Sequence, residues 1–253
     1  MADDLTEDSL LGGRVRFAQP RAGYRVAIDP VLLAAAVPAA PGEVVLDAGA
    51  GTGAAALCLA ARVTDCRIVG IELQRDLQRI ASRNVAANGA AGRIDLMVGD
   101  LERPPPRLTG ASFDHVMTNP PFQAATSGTV SPHAGRAACH VEGLDLERWL
   151  AACLRMLKPG GRLTLIQRAD RLDEVLAALF GRIGDLVVFP LWPTADDRPA
   201  KRVVVQGRKS AHGALRLARG LVLHERDGRY TEAAAAVLSE ARPLILTAER
   251  RHG

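Results

Sequence analysis

Between the apolar triplet Val44-Val45-Leu46 and the alanine-rich run Ala54 to Ala61 stand three glycines at alternate positions, Gly49, Gly51 and Gly53. A short apolar run, a glycine-rich turn and an apolar helical segment in that order make the first strand–turn–helix unit of a parallel sheet. Glycines at those positions let the backbone turn sharply and leave room for a ligand against the main chain. The helix that starts there aims free N–H groups and its positive dipole end at the same space.

The pattern continues after this unit. Arg67 to Ile71, Ile94 to Val98, Phe113 to Met117, Arg162 to Gln167, Leu186 to Phe189 and Arg202 to Gln206 read as further strands. Helical spacing separates several of them, with apolar positions at Leu73, Leu77, Ile80, Ala81 and Val85, then Leu146, Leu150, Cys153, Leu154 and Leu157 ending at Pro159-Gly160-Gly161, then Leu172, Val175, Leu176 and Leu179. The fold class is α/β, with a seven-stranded, mostly parallel sheet covered by helices on both faces. Residues 1–40 are expected to form a small cap. In it Gly13 to Gln19 alternates as a half-buried strand, Tyr24 to Ala27 returns as a second strand, and Asp29-Pro30 starts a short helix. Residues 41–240 form the main domain and 241–253 a basic tail. Gln123 to Ala138, rich in Ser, Thr, Gly and Pro, reads as a substrate-gripping flap.

The glycine run also satisfies a dinucleotide-binding pattern, so the residues around it decide the cofactor. Asp47 stands two positions before Gly49, where a carboxylate suits an ammonium and offers a pyrophosphate nothing. Glu72 ends the second strand and can accept two ribose hydroxyls; Asp100 ends the third and can accept an adenine amine. Together they favour S-adenosylmethionine. At the end of the fourth strand stands Asn119-Pro120-Pro121-Phe122. The Asn119 oxygen and the Pro120 carbonyl can each accept one N–H of a conjugated amine, freeing its lone pair for an electrophile. The prolines stiffen the carbonyl's direction and Phe122 can stack on the target ring.

Net charge is +4, carried almost wholly by arginine, since lysine occurs only at Lys158, Lys201 and Lys209. Arg136, Arg198, Lys201, Arg202, Arg208 and Lys209 are candidate phosphate contacts. Cys58, Cys66, Cys139 and Cys153 share no metal-site spacing and read as reduced thiols of a cytosolic protein, with no metal expected. The acidic start lacks a signal peptide, and no apolar stretch spans a bilayer.

The two loop motifs resemble those of class I amino-methyltransferases. More narrowly, Gly23 to Leu33, the segment around His140, Leu157 to Gly161 and Leu221 to Thr231 resemble bacterial tRNA N6-adenine methyltransferases, from about Leu10 to Leu238. That resemblance implies a Rossmann-like methyltransferase fold whose last strand is antiparallel, and a tRNA substrate whose adenine 3′ of the anticodon is flipped into the pocket. It implies cofactor contacts at Asp47, Gly49, Gly51, Gly53, Glu72 and Asp100, and an amine site at Asn119, Pro120, Pro121 and Phe122. Tyr24 and Arg25 would close a wall of the pocket or support it structurally. Val141 follows His140 where the family carries glutamate, so His140 receives no catalytic duty. Protein glutamine N5-methyltransferases of release factors, which use the same chemistry on an amide, and rRNA guanine N2-methyltransferases, which share the tetrapeptide, remain as alternatives. The former carry a long helical N-terminal domain, however, and the latter usually a duplicated one.

Overall fold

The computed structural model of the chain describes residues 5–22, 25–120 and 145–247. A hairpin, β1 (Leu5–Leu10) and β2 (Val15–Pro20), precedes helix α1 (Asp29–Ala36). Then come β3 (Val44–Ala48), α2 (Ala54–Arg62), β4 (Arg67–Glu72), α3 (Arg75–Ala87), β5 (Ile94–Val98) and β6 (Phe113–Thr118). The rest of the described chain holds α4 (Leu146–Met156), β7 (Leu157–Arg168), α5 (Leu172–Leu179), β8 (Ile183–Thr194), β9 (Arg202–Lys209), β10 (Arg216–Leu217), β11 (Leu221–His224) and α6 (Glu232–Glu240).

The main sheet runs β10-β8-β9-β7-β6-β3-β4-β5, with β11 also on β8. Only β9 is antiparallel to its neighbours, β7 and β8. β3 pairs with β4 on one side and β6 on the other, so the chain reverses its direction of winding between β3 and β6. A crevice opens at such a reversal, outside the carboxyl ends of the strands, because the following loops leave toward opposite faces. Ala48 and Thr118 are register partners there. Gly49 and Asn119 are therefore the first residues beyond two neighbouring strand ends.

One buried cluster joins Leu32, Leu33, Leu57, Leu59 and Ile68 with Val237 and Leu238 on one face of the sheet. A second joins Leu46, Val116, Leu150, Leu154, Leu165, Val175 and Leu179 on the other. Apolar β-strands buried on both faces are what helices on two sides require.

Three details differ from the sequence-based expectation. The hairpin partner of β2 is β1, before it in the chain, whereas Arg25 to Ala27 lie outside any strand. Leu11, Gly12 and Gly13 all take positive φ and turn the chain back at once. β1 hides because Glu7, Asp8 and Ser9 face water and break the alternation a strand usually shows. The sheet has nine strands, since β10 and β11 extend the β8 edge. The helix containing Leu150 ends at Met156, and Leu157 to Gly161 already belong to β7, beside a bulge at Phe113/His115.

The hairpin is fastened to α3 by side-chain amides. Asn84 accepts from Ala18 N–H at 2.8 Å and donates to the Ala18 carbonyl at 2.9 Å. Asn88 repeats this with Arg16, at 2.9 and 2.7 Å. Four residues of helix rise about 6 Å and two residues of strand about 6.8 Å, so amides one turn apart match alternate strand positions.

Candidate active site

The glycine loop hangs from β4. Gly49 N–H and Ala50 N–H both donate to the Ile71 carbonyl, at 2.9 and 3.0 Å. Gly51 N–H donates to Glu72 Oε2 at 2.8 Å, and Gln74 N–H to Glu72 Oε1 at 2.9 Å. Gly49, Gly51 and Gly53 have φ of +76°, +56° and +83°, where a side chain is strained.

Two of these glycines make room for the protein itself, a finding sequence reading missed. A Cβ on Gly49 would stand 3.2 Å from Cζ2 of Trp149, and one on Gly53 would stand 3.3 Å from the Ala81 Cβ. The Trp149 indole Nε1 also donates to Thr118 Oγ1 at 3.0 Å, and that hydroxyl donates to the Ala48 carbonyl at 2.9 Å. Thr118 was legible as the residue before Asn119; nothing in the sequence tied Trp149 to it.

Asp47 is buried at the end of β3 and its Oδ2 holds no hydrogen bond among the described residues. Burial pushes its carboxyl up to about 7, against the Ala56 N–H bond and helped by the nearby Glu72 charge. Asn119 Oδ1 is likewise buried without a partner among the described residues. Two bare acceptors flanking one loop suit a ligand that brings a cation and N–H groups. Glu72 keeps further lone pairs on both oxygens beyond the two N–H bonds they accept. Asp100 stands just past β5 and accepts Glu102 N–H at 2.9 Å through Oδ1, leaving Oδ2 for another donor. The acceptor set fits S-adenosylmethionine.

Arg25 reaches Asp8 and Thr6 of the hairpin, each at 3.3 Å. Pro120 is buried beside Asn119. Tyr24, Pro121, Phe122, Arg136, His140 and the whole Gln123 to Ala138 segment lie outside the described residues. The five remaining basic candidates do not form one cluster. Arg198 pairs with Asp196, Lys201 is exposed, and Arg202 donates to Asp29 at 2.9 Å, all toward the carboxyl-end edge. Arg208 pairs with Asp185, and Lys209 donates to the Leu154 and Leu157 carbonyls, at the opposite end of β9. Among the described residues no group of His, Cys, Asp or Glu could hold a metal ion, and no helix is long and apolar enough to cross a membrane.

Residues 45–161 match the family model described as a methyltransferase domain. The chain is 32% identical over 221 residues to the tRNA1(Val) (adenine(37)-N6)-methyltransferase of Aeromonas hydrophila, covering 84% of this chain and 87% of that one. It is 37% identical over 164 residues to the enzyme of the same name from Porphyromonas gingivalis, covering 62% of this chain and 64% of that one. Among solved structures, a predicted O-methyltransferase of Agrobacterium tumefaciens superposes with a TM-score of 0.71 at 25% identity, covering 86% of this chain and 98% of that one. With these relatives and a cofactor crevice of this build, the chain belongs to the tRNA1(Val) (adenine(37)-N6)-methyltransferase family of S-adenosylmethionine-dependent enzymes.

Proposed function

We propose that this protein methylates the exocyclic N6 amine of the adenine 3′ of the anticodon in a valine tRNA, using S-adenosylmethionine. The observation that carries the reading is the register pair Ala48–Thr118, which sets the bare acceptor of Asn119 beside the glycine loop. When bound, the cofactor supplies an electrophilic methyl group on a sulfonium. Asp47 would hold its ammonium, Glu72 its ribose hydroxyls and Asp100 its adenine amine.

Asn119 Oδ1 accepts one N–H of the target amine, and the Pro120 carbonyl the other. With both N–H groups directed away, the nitrogen lone pair is aimed and made more available. Holding a reactant in near-attack geometry is worth up to ~7–11 kcal/mol in favourable models, so orientation supplies much of the rate. The alkylated nitrogen is acidic and releases its proton to water, so no strong base is needed. Asn119 acts by hydrogen bonding in the transition state. A carbonyl acceptor pair suits a donor with two N–H groups, which favours a nitrogen target over an oxygen one. In this reading Phe122 would stack on the flipped base, Tyr24 and Arg25 would close or support the pocket wall, and Arg136, Arg198, Lys201 and Arg202 would meet phosphates. A tRNA substrate places the enzyme in the cytosol.

The test is incubation with methyl-labelled cofactor and unmodified total tRNA, followed by nucleoside mass spectrometry. Labelled N6-methyladenosine supports the proposal. Label in protein, or in another nucleoside, overturns it.

A further inference from the structure

The free edge of the main sheet carries a set of aromatic rings at the same end as Asn119. β8 and β11 run parallel, with Val222 opposite Trp192 and His224 opposite Thr194. Paired positions share a face, so Trp192, Val222 and His224 stand on one side of the sheet. The alternate residues Leu221 and Leu223 are buried in the core with Val237 and Leu238 of α6. Trp192, Val222 and His224 belong to neither core cluster and stay partly exposed.

The chain then turns through residues 225–228 and returns, with Glu225 N–H donating to the Arg229 carbonyl at 2.8 Å and Tyr230 bridged to His224. The rings of His224 and Tyr230 stack, with centroids 4.8 Å apart and an interplanar angle of 26°. His224 Nδ1 lies 3.1 Å from the Pro193 carbonyl, and Trp192 Nε1 donates to the Arg219 carbonyl at 2.9 Å. Each ring is thus held by a bond or a neighbour, yet Tyr230 remains 42% exposed. In a chain with only two tyrosines and two tryptophans, so fixed and open a ring calls for a partner. Exposed Arg226 lies in the turn that carries Tyr230 and holds no ion pair among the described residues, whereas Arg229 is engaged by Asp227.

A rigid ring with one face covered and one open, beside an unpaired guanidinium group, is how proteins receive an unstacked base and its phosphate. The geometry points to a base-stacking platform: Tyr230, backed by His224, takes an unpaired nucleotide flanking the target adenine, with Arg226 on the backbone. This rests on RNA being the substrate. β11 lies four strand spacings from β6, about 19 Å along the edge, so the platform reads a nucleotide removed from the flipped base.

The test compares wild type with Tyr230→Ala, Tyr230→Trp and Arg226→Ala on an unmodified valine tRNA transcript. Tyr230→Ala is expected to raise KM for tRNA about 5- to 100-fold, with cofactor KM and kcat at saturating tRNA near wild type. Tyr230→Trp, which keeps a stacking ring, should restore KM. Arg226→Ala, fully on the surface, should lower the slope of log affinity against log salt by about one. Wild-type KM in Tyr230→Ala, or loss of the alanine effect into a lower melting temperature shared by Tyr230→Trp, overturns the platform alone. If the wild type methylates no tRNA, the RNA reading falls with it. Self-association of the wild type without RNA, abolished by Tyr230→Ala, would instead assign this face to a second copy of the chain and overturn the proposal.

Discussion

Trp149 Nε1 donates to Thr118 Oγ1 at 3.0 Å, so a helix beyond the acceptor loop is bonded to the residue that precedes Asn119. Because Thr118 also donates to the Ala48 carbonyl, one buried hydroxyl joins both strand ends that frame the crevice. Replacing it by an isosteric methyl leaves an indole N–H and a carbonyl unpaired. Thr118→Val should cost about 1–3 kcal/mol in denaturant unfolding. It should lower kcat about 10- to 100-fold through misplacement of Asn119, with cofactor affinity changed far less. Unfolding curves and calorimetry separate the two effects.

Gly49 meets the same indole beside its nitrogen, at Cζ2. Gly49→Ala combines left-handed strain with a 3.2 Å approach to Trp149 Cζ2. It should destabilise the protein by about 1–3 kcal/mol. Adding Trp149→Leu relieves the contact but not the strain, so a double-mutant cycle should show favourable coupling between the two substitutions. Strict additivity would mean that the ring yields freely.

If the amide serves the methyl-accepting amine as proposed, Asn119→Ala should abolish turnover while calorimetry finds cofactor affinity near normal. A parallel collapse of cofactor affinity would move Asn119 into the donor site.

Asp47 gives the pH dependence a definite sign. Its carboxyl titrates at about 7 in the folded, ligand-free protein against 3.8 as the ordinary value. The folded state therefore holds a proton that the unfolded chain releases between those values. Stability falls as pH rises from 4 to 7 and is level above that, by up to about 4 kcal/mol. Asp47→Asn should raise the melting temperature of the ligand-free protein at pH 8, with the gain fading toward pH 4. An ammonium needs the carboxylate, so wild-type cofactor affinity should fall about tenfold per pH unit below 7. Titration calorimetry from pH 5 to 8 reads this directly.

Arg198 and Lys201 sit on the β8–β9 connection at the carboxyl-end edge, whereas Arg208 and Lys209 lie at the other end of β9. Replacing the first pair by alanine should weaken tRNA binding and reduce its salt slope by about two. Replacing Arg208 should leave the slope unchanged. Filter binding at several salt concentrations distinguishes the pairs.

What the sequence made legible was local. Val44 to Gly53 and Phe113 to Pro120 each state a strand and its loop within ten residues, because apolar runs and glycine or proline punctuation are short-range signals. Long-range partners were hidden. The glycines read as space for a ligand, yet Gly49 and Gly53 yield to Trp149 and Ala81, contacts that sequence spacing cannot state. β1 escaped because its side chains meet water. The basic residues look like one patch in the sequence, but an eight-residue strand carries its two ends to opposite edges of a sheet.

The amide ladder from α3 to β2 makes the amino-terminal hairpin part of the catalytic frame. Asn84 Nδ2 donates to the Thr52 carbonyl at 3.0 Å as well as to Ala18, so one buried side chain holds the hairpin and the glycine loop together. Trimming the protein to its family-matched region, from residue 45 onward, would strip Asn84 and Asn88 of their strand and expose an apolar flank of α2. A minimal version of this enzyme has to begin with its first hairpin, although no candidate catalytic residue lies within it.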